Sequence, residues 1–103
     1  MQVIARRTLK QFWERHPHAE RPLRSWFAAV SQAKWGGPSD LKRQFGSSVD
    51  FVSDNRVIFD LGGNKFRLVA HISYAFGRVL VKFVGTHADY DRIDPEIVSW
   101  RRR

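Results

Sequence analysis

Thr86-His87-Ala88-Asp89-Tyr90-Asp91 follows directly on Val79-Leu80-Val81-Lys82-Phe83-Val84, an alternating apolar run with the period of a β-strand. A strand there delivers an imidazole and a phenol together at its exit, and both groups can move protons. They belong to a chain of formal net charge +8 with no cysteine. A polyanionic substrate handled by acid–base chemistry therefore comes ahead of a metal centre or a thiol nucleophile.

Length and composition bound what can position such a pair. At 103 residues the chain is expected to form one domain, residues 1–103, with a single modest core. Hydrophobic residues at 43% and aromatics at 14% describe a folded globule and exclude a disordered basic tail. The lack of cysteine removes disulfides, thiolates and the usual structural zinc sites, which suits a reducing, cytoplasmic setting. Met1 to Arg7 lacks the apolar run of a signal peptide, and no stretch approaches the ~20 apolar residues that span a bilayer. No membrane association is expected.

Charge is unevenly spread. Residues 1–45 carry nine Lys/Arg against three Asp/Glu, residues 46–91 five against five, and residues 92–103 four against two. The field attracts phosphate backbones without conveying sequence preference, while the His87/Tyr90 segment is balanced. Binding and chemistry are therefore expected on different regions.

The elements follow from periodicity. Val3-Ile4 reads as a short first strand, and Thr8 three residues before Gln11 fits a capping box opening a helix. Leu9, Phe12 and Trp13 share a face of that helix, which His16-Pro17 ends. A second helix starts near Glu20, carries Leu23, Trp26, Phe27 and Val30 at i, i+3, i+4, i+7, and stops at Gly36-Gly37-Pro38. A short helical turn is expected over 39–45. After Gly46 the period becomes two: 49–53, 56–61, 66–74 and 78–84 are strands separated by Asp54-Asn55, Gly62-Gly63-Asn64 and Gly77. The expected architecture is α+β, an N-terminal strand and a two-helix hairpin packed on a four-stranded antiparallel sheet. Phe66, Leu68, Ala70, Ile72, Val79, Val81 and Phe83 should face the helices, leaving Arg67, His71 and Lys82 opposite, with His87 and Tyr90 at the edge.

This order of elements resembles the RelE-like toxins, and Gly62-Gly63-Asn64-Lys65-Phe66-Arg67-Leu68-Val69 with Thr86-His87-Ala88-Asp89-Tyr90-Asp91 resembles their HigB branch. The resemblance implies a ribosome-dependent endoribonuclease, an mRNA interferase that cuts messages during translation and inhibits it. It also implies a helix-turn-helix antitoxin partner, HigA-like, that holds the toxin in check. Under that implication metal-free cleavage needs the ribose 2′-OH deprotonated, the phosphorane stabilised and the 5′-oxygen protonated. Arg67 is the candidate stabiliser through its planar fork of donors, with Lys82 as a supporting point charge. His87 is the candidate general acid or base and Tyr90 its partner or a stacking platform; their types leave open which takes the first proton. Lys65, Arg101, Arg102 and Arg103 are candidate RNA-backbone contacts. No cofactor and no metal are expected.

Plainer readings stand beside these. Arg67 can pair with Asp60 across the neighbouring strand, Tyr90 can anchor the C-terminal segment through its ring, and His71 reads as structural. His16-Pro17-His18 lacks neighbouring ligands for a metal and reads as a helix exit with surface imidazoles, and Gly62-Gly63-Asn64-Lys65 lacks the spacing of a phosphate-binding loop. The functional alternative is a non-catalytic RNA- or ribosome-binding module. Direct DNA binding is not expected of this chain, since no helix-turn-helix pair is evident.

Overall fold

The change of hydrophobic period at Gly46 divides the molecule into a helical layer and a sheet. The computed structural model describes residues 1–4 and 6–98. In chain order these form β1 (Gln2–Ile4), α1 (Arg6–Arg15), a 3-10 turn (Pro17–Ala19), α2 (Glu20–Gln32), α3 (Pro38–Phe45), a second 3-10 turn (Gly46–Ser48), β2 (Val49–Val52), β3 (Arg56–Leu61), β4 (Phe66–Ser73), β5 (Arg78–Thr86) and α4 (His87–Tyr90). The α+β class is as expected.

The sheet differs from the expected four antiparallel strands. It has five, in the order β1-β5-β4-β3-β2, because β1 joins the far edge parallel to β5, with Val3 opposite Val79. Only β2 to β5 form the antiparallel meander. Parallel pairing cannot be closed by a tight turn, and here the connection from β1 to β5 runs through the three helices and the strands β2 to β4. The hairpin turns rest on left-handed backbone at Asp54 and Asn55 and at Gly62, Gly63 and Asn64, the residue types that tolerate it. The hairpin of α1 and α2 is joined by α3, a full helix of eight residues, and α2 ends at Gln32, before the Gly36-Gly37-Pro38 stop.

Leu9 and Phe12 of α1, Leu23, Trp26 and Val30 of α2, and Leu41 of α3 pack against Val57, Phe59, Leu68, Ala70, Ile72, Val79 and Val81 of the sheet. Each fully buried aliphatic or aromatic side chain contributes roughly 1.5–3 kcal/mol, so this layer dominates stability. Phe83 is a correction. Val69 pairs with Phe83 while Ala70 pairs with Val81, so Lys82 is an extra residue, a β-bulge in β5. The bulge resets the alternation: Val84 enters the core and Phe83 joins Lys82 on the outer face.

Two local expectations also change. Thr8 and Gln11 lie inside α1, which starts at Arg6, so they form no capping box. His16 is half-buried rather than a surface imidazole, and its ring stacks on Phe12 at 4.4 Å and 23°.

The outer face of the sheet has its own cover. The segment after α4 returns across it: buried Arg56 donates from Nη1 to the carbonyls of Pro95 (3.1 Å) and Val98 (2.6 Å), and Ser53 donates to Glu96 (3.2 Å). Ile58 and Val69, on the same face as Arg56, are buried outside the main cluster.

Candidate active site

Arg67 stands on β4 opposite Asp60 of β3 and Gly85 of β5. Its Nη1 lies 2.9 Å from Asp60 Oδ1, and the same nitrogen donates to Asn64 Oδ1 in the glycine-rich turn. The Arg67 side chain is 12% exposed and that of Asp60 26%, so this pair is held far more firmly than a surface ion pair. The plainer reading, a cross-strand Arg67–Asp60 pair, is therefore present. It does not occupy the whole guanidinium: Nε and Nη2 make no hydrogen bond among the described residues, leaving one edge of the fork for a phosphate oxygen.

Tyr90 comes to Arg67 from α4. The guanidinium carbon sits 5.6 Å from the centre of the phenol ring, within cation–π range. Burial raises the phenol's pKa above its ordinary value of 10.0; Arg67 opposes the shift, and the carboxylates of Asp50, Asp60 and Asp91 add to it. Tyr90 thus holds its proton at neutral pH and is available as a donor.

A capping box sets the turn that carries both candidate acid–base groups. Thr86 Oγ1 accepts from the Asp89 N–H at 3.1 Å, and Asp89 Oδ2 accepts from the Thr86 N–H at 3.2 Å. The His87 N–H donates to the Lys65 carbonyl at 3.2 Å, tying α4 to the glycine-rich hairpin. His87 and Tyr90 are three residues apart and so project from neighbouring positions of one turn. His87 Nδ1 lies 3.5 Å from Asp91 Oδ2, a contact between two exposed side chains with the imidazole at 49%, so a carboxylate stands beside one nitrogen and Nε2 is left for solvent or substrate.

Gly85 explains how α4 reaches Arg67. A Cβ at this position would meet the Phe83 ring at 2.6 Å and the Asp89 Cβ at 2.9 Å. The missing side chain lets Phe83 fold over the strand and α4 pack down beside Arg67.

Arg67 of β4 and Tyr90 of α4 are brought together, His87 shares the turn of Tyr90, Asp60 and Asn64 hold Arg67, and Asp91 lies beside His87. Lys82 stands apart: it occupies the bulge on the same face, partly buried, with no ion pair or side-chain hydrogen bond to the others among the described residues. Lys65 is exposed at the hairpin tip beside α4. Arg101, Arg102 and Arg103 lie outside the described residues. Among the described residues no three His, Asp or Glu side chains gather as a metal site requires, and no helix is long and apolar enough to cross a membrane. Two features escaped sequence reading. The Thr86–Asp89 box carries the Thr-x-x-Asp pattern in plain view, and Gly85 signalled a close approach as a glycine inside a strand.

Comparison with known proteins gives the family. Residues 19–93 match the model of the HigB toxin family, described as the RelE-like toxic component of a toxin-antitoxin system. The chain is 24% identical over 94 residues to the mRNA interferase HigB of Escherichia coli O6:H1, covering 90% of this chain and 91% of that protein. It is 28% identical over 92 residues to the mRNA interferases HigB of Escherichia coli O157:H7 and Shigella flexneri, covering 88% of each. With the matched segment spanning both the Arg67 hairpin and the His87–Tyr90 turn, the chain belongs to the HigB family of RelE-like toxins.

Proposed function

We propose that this toxin is a metal-independent endoribonuclease that cleaves messenger RNA on the ribosome, held in check by a HigA-like helix-turn-helix antitoxin. The observation that carries this reading is the Arg67 guanidinium, fixed by Asp60 and Asn64 with one edge open and stacked against the protonated phenol of Tyr90. The names of its relatives, mRNA interferases, support the substrate class.

The chemistry is transesterification within the RNA strand. His87, with Nδ1 beside Asp91, takes the proton of a ribose 2′-OH at Nε2. The 2′-oxygen forms a bond to phosphorus, and the bond from phosphorus to the 5′-oxygen of the next nucleotide breaks. Arg67 binds the non-bridging oxygens as their charge grows. Tyr90 gives its proton to the departing 5′-oxygen, a group basic enough to take it from a phenol of raised pKa. The products are a 2′,3′-cyclic phosphate and a 5′-hydroxyl. Lys82 contributes a distant positive charge, and Lys65 tracks the backbone. With so few groups, docking on the ribosome supplies orientation worth a large part of the rate.

Induction of the chain in cells, with transcript 5′ ends sequenced beside His87→Ala and Arg67→Ala controls, tests the reading. New ends inside translated frames with wild type and none with either variant are expected. Translation arrest without new ends would instead identify a binding module that blocks the ribosome.

A further inference from the structure

A second cleft shares a wall with the candidate site. It lies between α1 and the corner where β5 passes into α4, encloses about 500 Å³, and is lined by Thr8, Gln11, Phe12, Arg15, His16, Val84 and Asp89. That volume suits a nucleotide, within the ~300–1,000 Å³ usual for small-ligand sites. We infer that this cleft is a base-reading subsite for the nucleotide of single-stranded RNA next to the cleaved linkage, selecting bases that carry an exocyclic amino group over uracil. The inference rests on the RNA-cleaving reading above and adds to it the substrate's recognition.

Four observations carry it. Thr8, Gln11 and Arg15 fall at i, i+3 and i+7, one stripe of α1, and the side chains of Thr8 and Gln11 make no hydrogen bond among the described residues. The floor is apolar, with Phe12 and Val84 both buried, and the His16 ring stacked on Phe12 gives a flat wall for a base. Exposed Arg15 offers a fork for the attached phosphate. Asp89 commits Oδ2 to the Thr86 N–H and leaves Oδ1 without a partner among the described residues.

That free carboxylate oxygen sets the preference. Adenine, cytosine and guanine each present an amino group that can donate to it, and the Gln11 amide can pair with a neighbouring acceptor on the same base edge. Uracil presents one ring N–H flanked by two carbonyl oxygens, which a carboxylate repels. Asp89 belongs to the turn that carries His87 and Tyr90, so a base held here lies beside the scissile phosphate.

Titration of the full-length protein with 2′-O-methylated trinucleotides, which lack the attacking hydroxyl, tests the subsite apart from cleavage. AAA and CCC should shift the amide resonances of Gln11 and His16 and bind about ten-fold tighter than UUU. Arg15→Ala should weaken all three by a common factor, and Asp89→Asn, which keeps one oxygen for the Thr86 N–H and turns the free oxygen into an amide donor, should erase most of the difference between them. Shifts confined to the Arg67 face, or equal affinity for UUU, overturn the subsite. In cells, the base beside the cuts should lose its bias against uracil in Asp89→Asn. If that variant lowers ribosome association and leaves the bias intact, the nucleotide in the cleft belongs to ribosomal RNA and the inference fails. Trinucleotide binding with this pattern in a protein that makes no cuts would keep the subsite and refute the cleavage reading alone.

Discussion

Tyr90→Phe is the sharpest perturbation of the proposed chemistry because it removes one proton and little else. The phenylalanine ring keeps the stacking surface 5.6 Å from the Arg67 guanidinium carbon. None of the side-chain hydrogen bonds among the described residues involves the Tyr90 hydroxyl, so its loss orphans no protein partner there. Stability should therefore change by no more than about 0.5 kcal/mol. The rate should not be spared: a positioned general acid contributes ~10²–10⁴-fold, equivalent to roughly 2.7–5.5 kcal/mol of transition-state stabilisation. The assay is single-turnover cleavage of a defined message in a purified translation system, with urea unfolding as the control. A variant that unfolds like wild type and cleaves at least ~100-fold more slowly fits. Cleavage within about three-fold of wild type would show that the leaving oxygen draws its proton elsewhere, and the assignment of Tyr90 as acid would be wrong.

Three further outcomes follow from the same geometry. Gly85→Ala places a methyl group 2.6 Å from the Phe83 ring and 2.9 Å from Asp89 Cβ; urea denaturation should show a loss of about 1–3 kcal/mol, and cleavage should fall further because α4 is displaced. Arg67→Lys keeps the charge and loses the planar fork, so kcat should drop ~10²–10³-fold, with ribosome co-sedimentation retained. Alkaline pH should lower stability through Tyr90: below 10.0 both states hold the proton, whereas above it the unfolded chain has lost a proton that the folded chain keeps, so stability falls as pH climbs through the raised folded value. Thermal melts from about pH 9 to 11.5 should show this fall, flattened in part by Tyr90→Phe, with the partly buried Tyr74 phenol, also raised, accounting for a remainder.

Local chemistry was legible where one short-range rule acted alone. The bounds of β3 matched its run Arg56–Leu61, and Asp54-Asn55 and Gly62-Gly63-Asn64 marked turns whose left-handed backbone demands such residues. Legibility failed where a distant partner decided. Nothing in Val3-Ile4 states that it pairs with Val79 and Leu80. The bulge at Lys82 depends on how β4 and β5 align across Val69 and Ala70, and one extra residue turns Phe83 outward against its own alternation. Thr8-x-x-Gln11 and Thr86-x-x-Asp89 show how far a motif depends on context. Both have the spacing of a capping box, yet only the second coincides with the end of a strand, where Thr86 takes extended backbone and can cap. At the site, residue types pointed to Arg67, His87 and Tyr90. The supporting groups Asn64, Gly85 and Asp91 became visible only with the hairpin folded onto α4.

The proposed proton transfer by His87 and Tyr90 around a phosphate held by Arg67 would leave a chemical record in its products, and the nature of the cut ends is its most direct test. RNA recovered from a translation reaction containing the purified toxin should carry 5′-hydroxyl groups and 2′,3′-cyclic phosphates at the new ends, absent when His87→Ala is used. Ends bearing 5′-phosphate and 3′-hydroxyl would mean that water, not the ribose 2′-oxygen, attacks, and would contradict the mechanism.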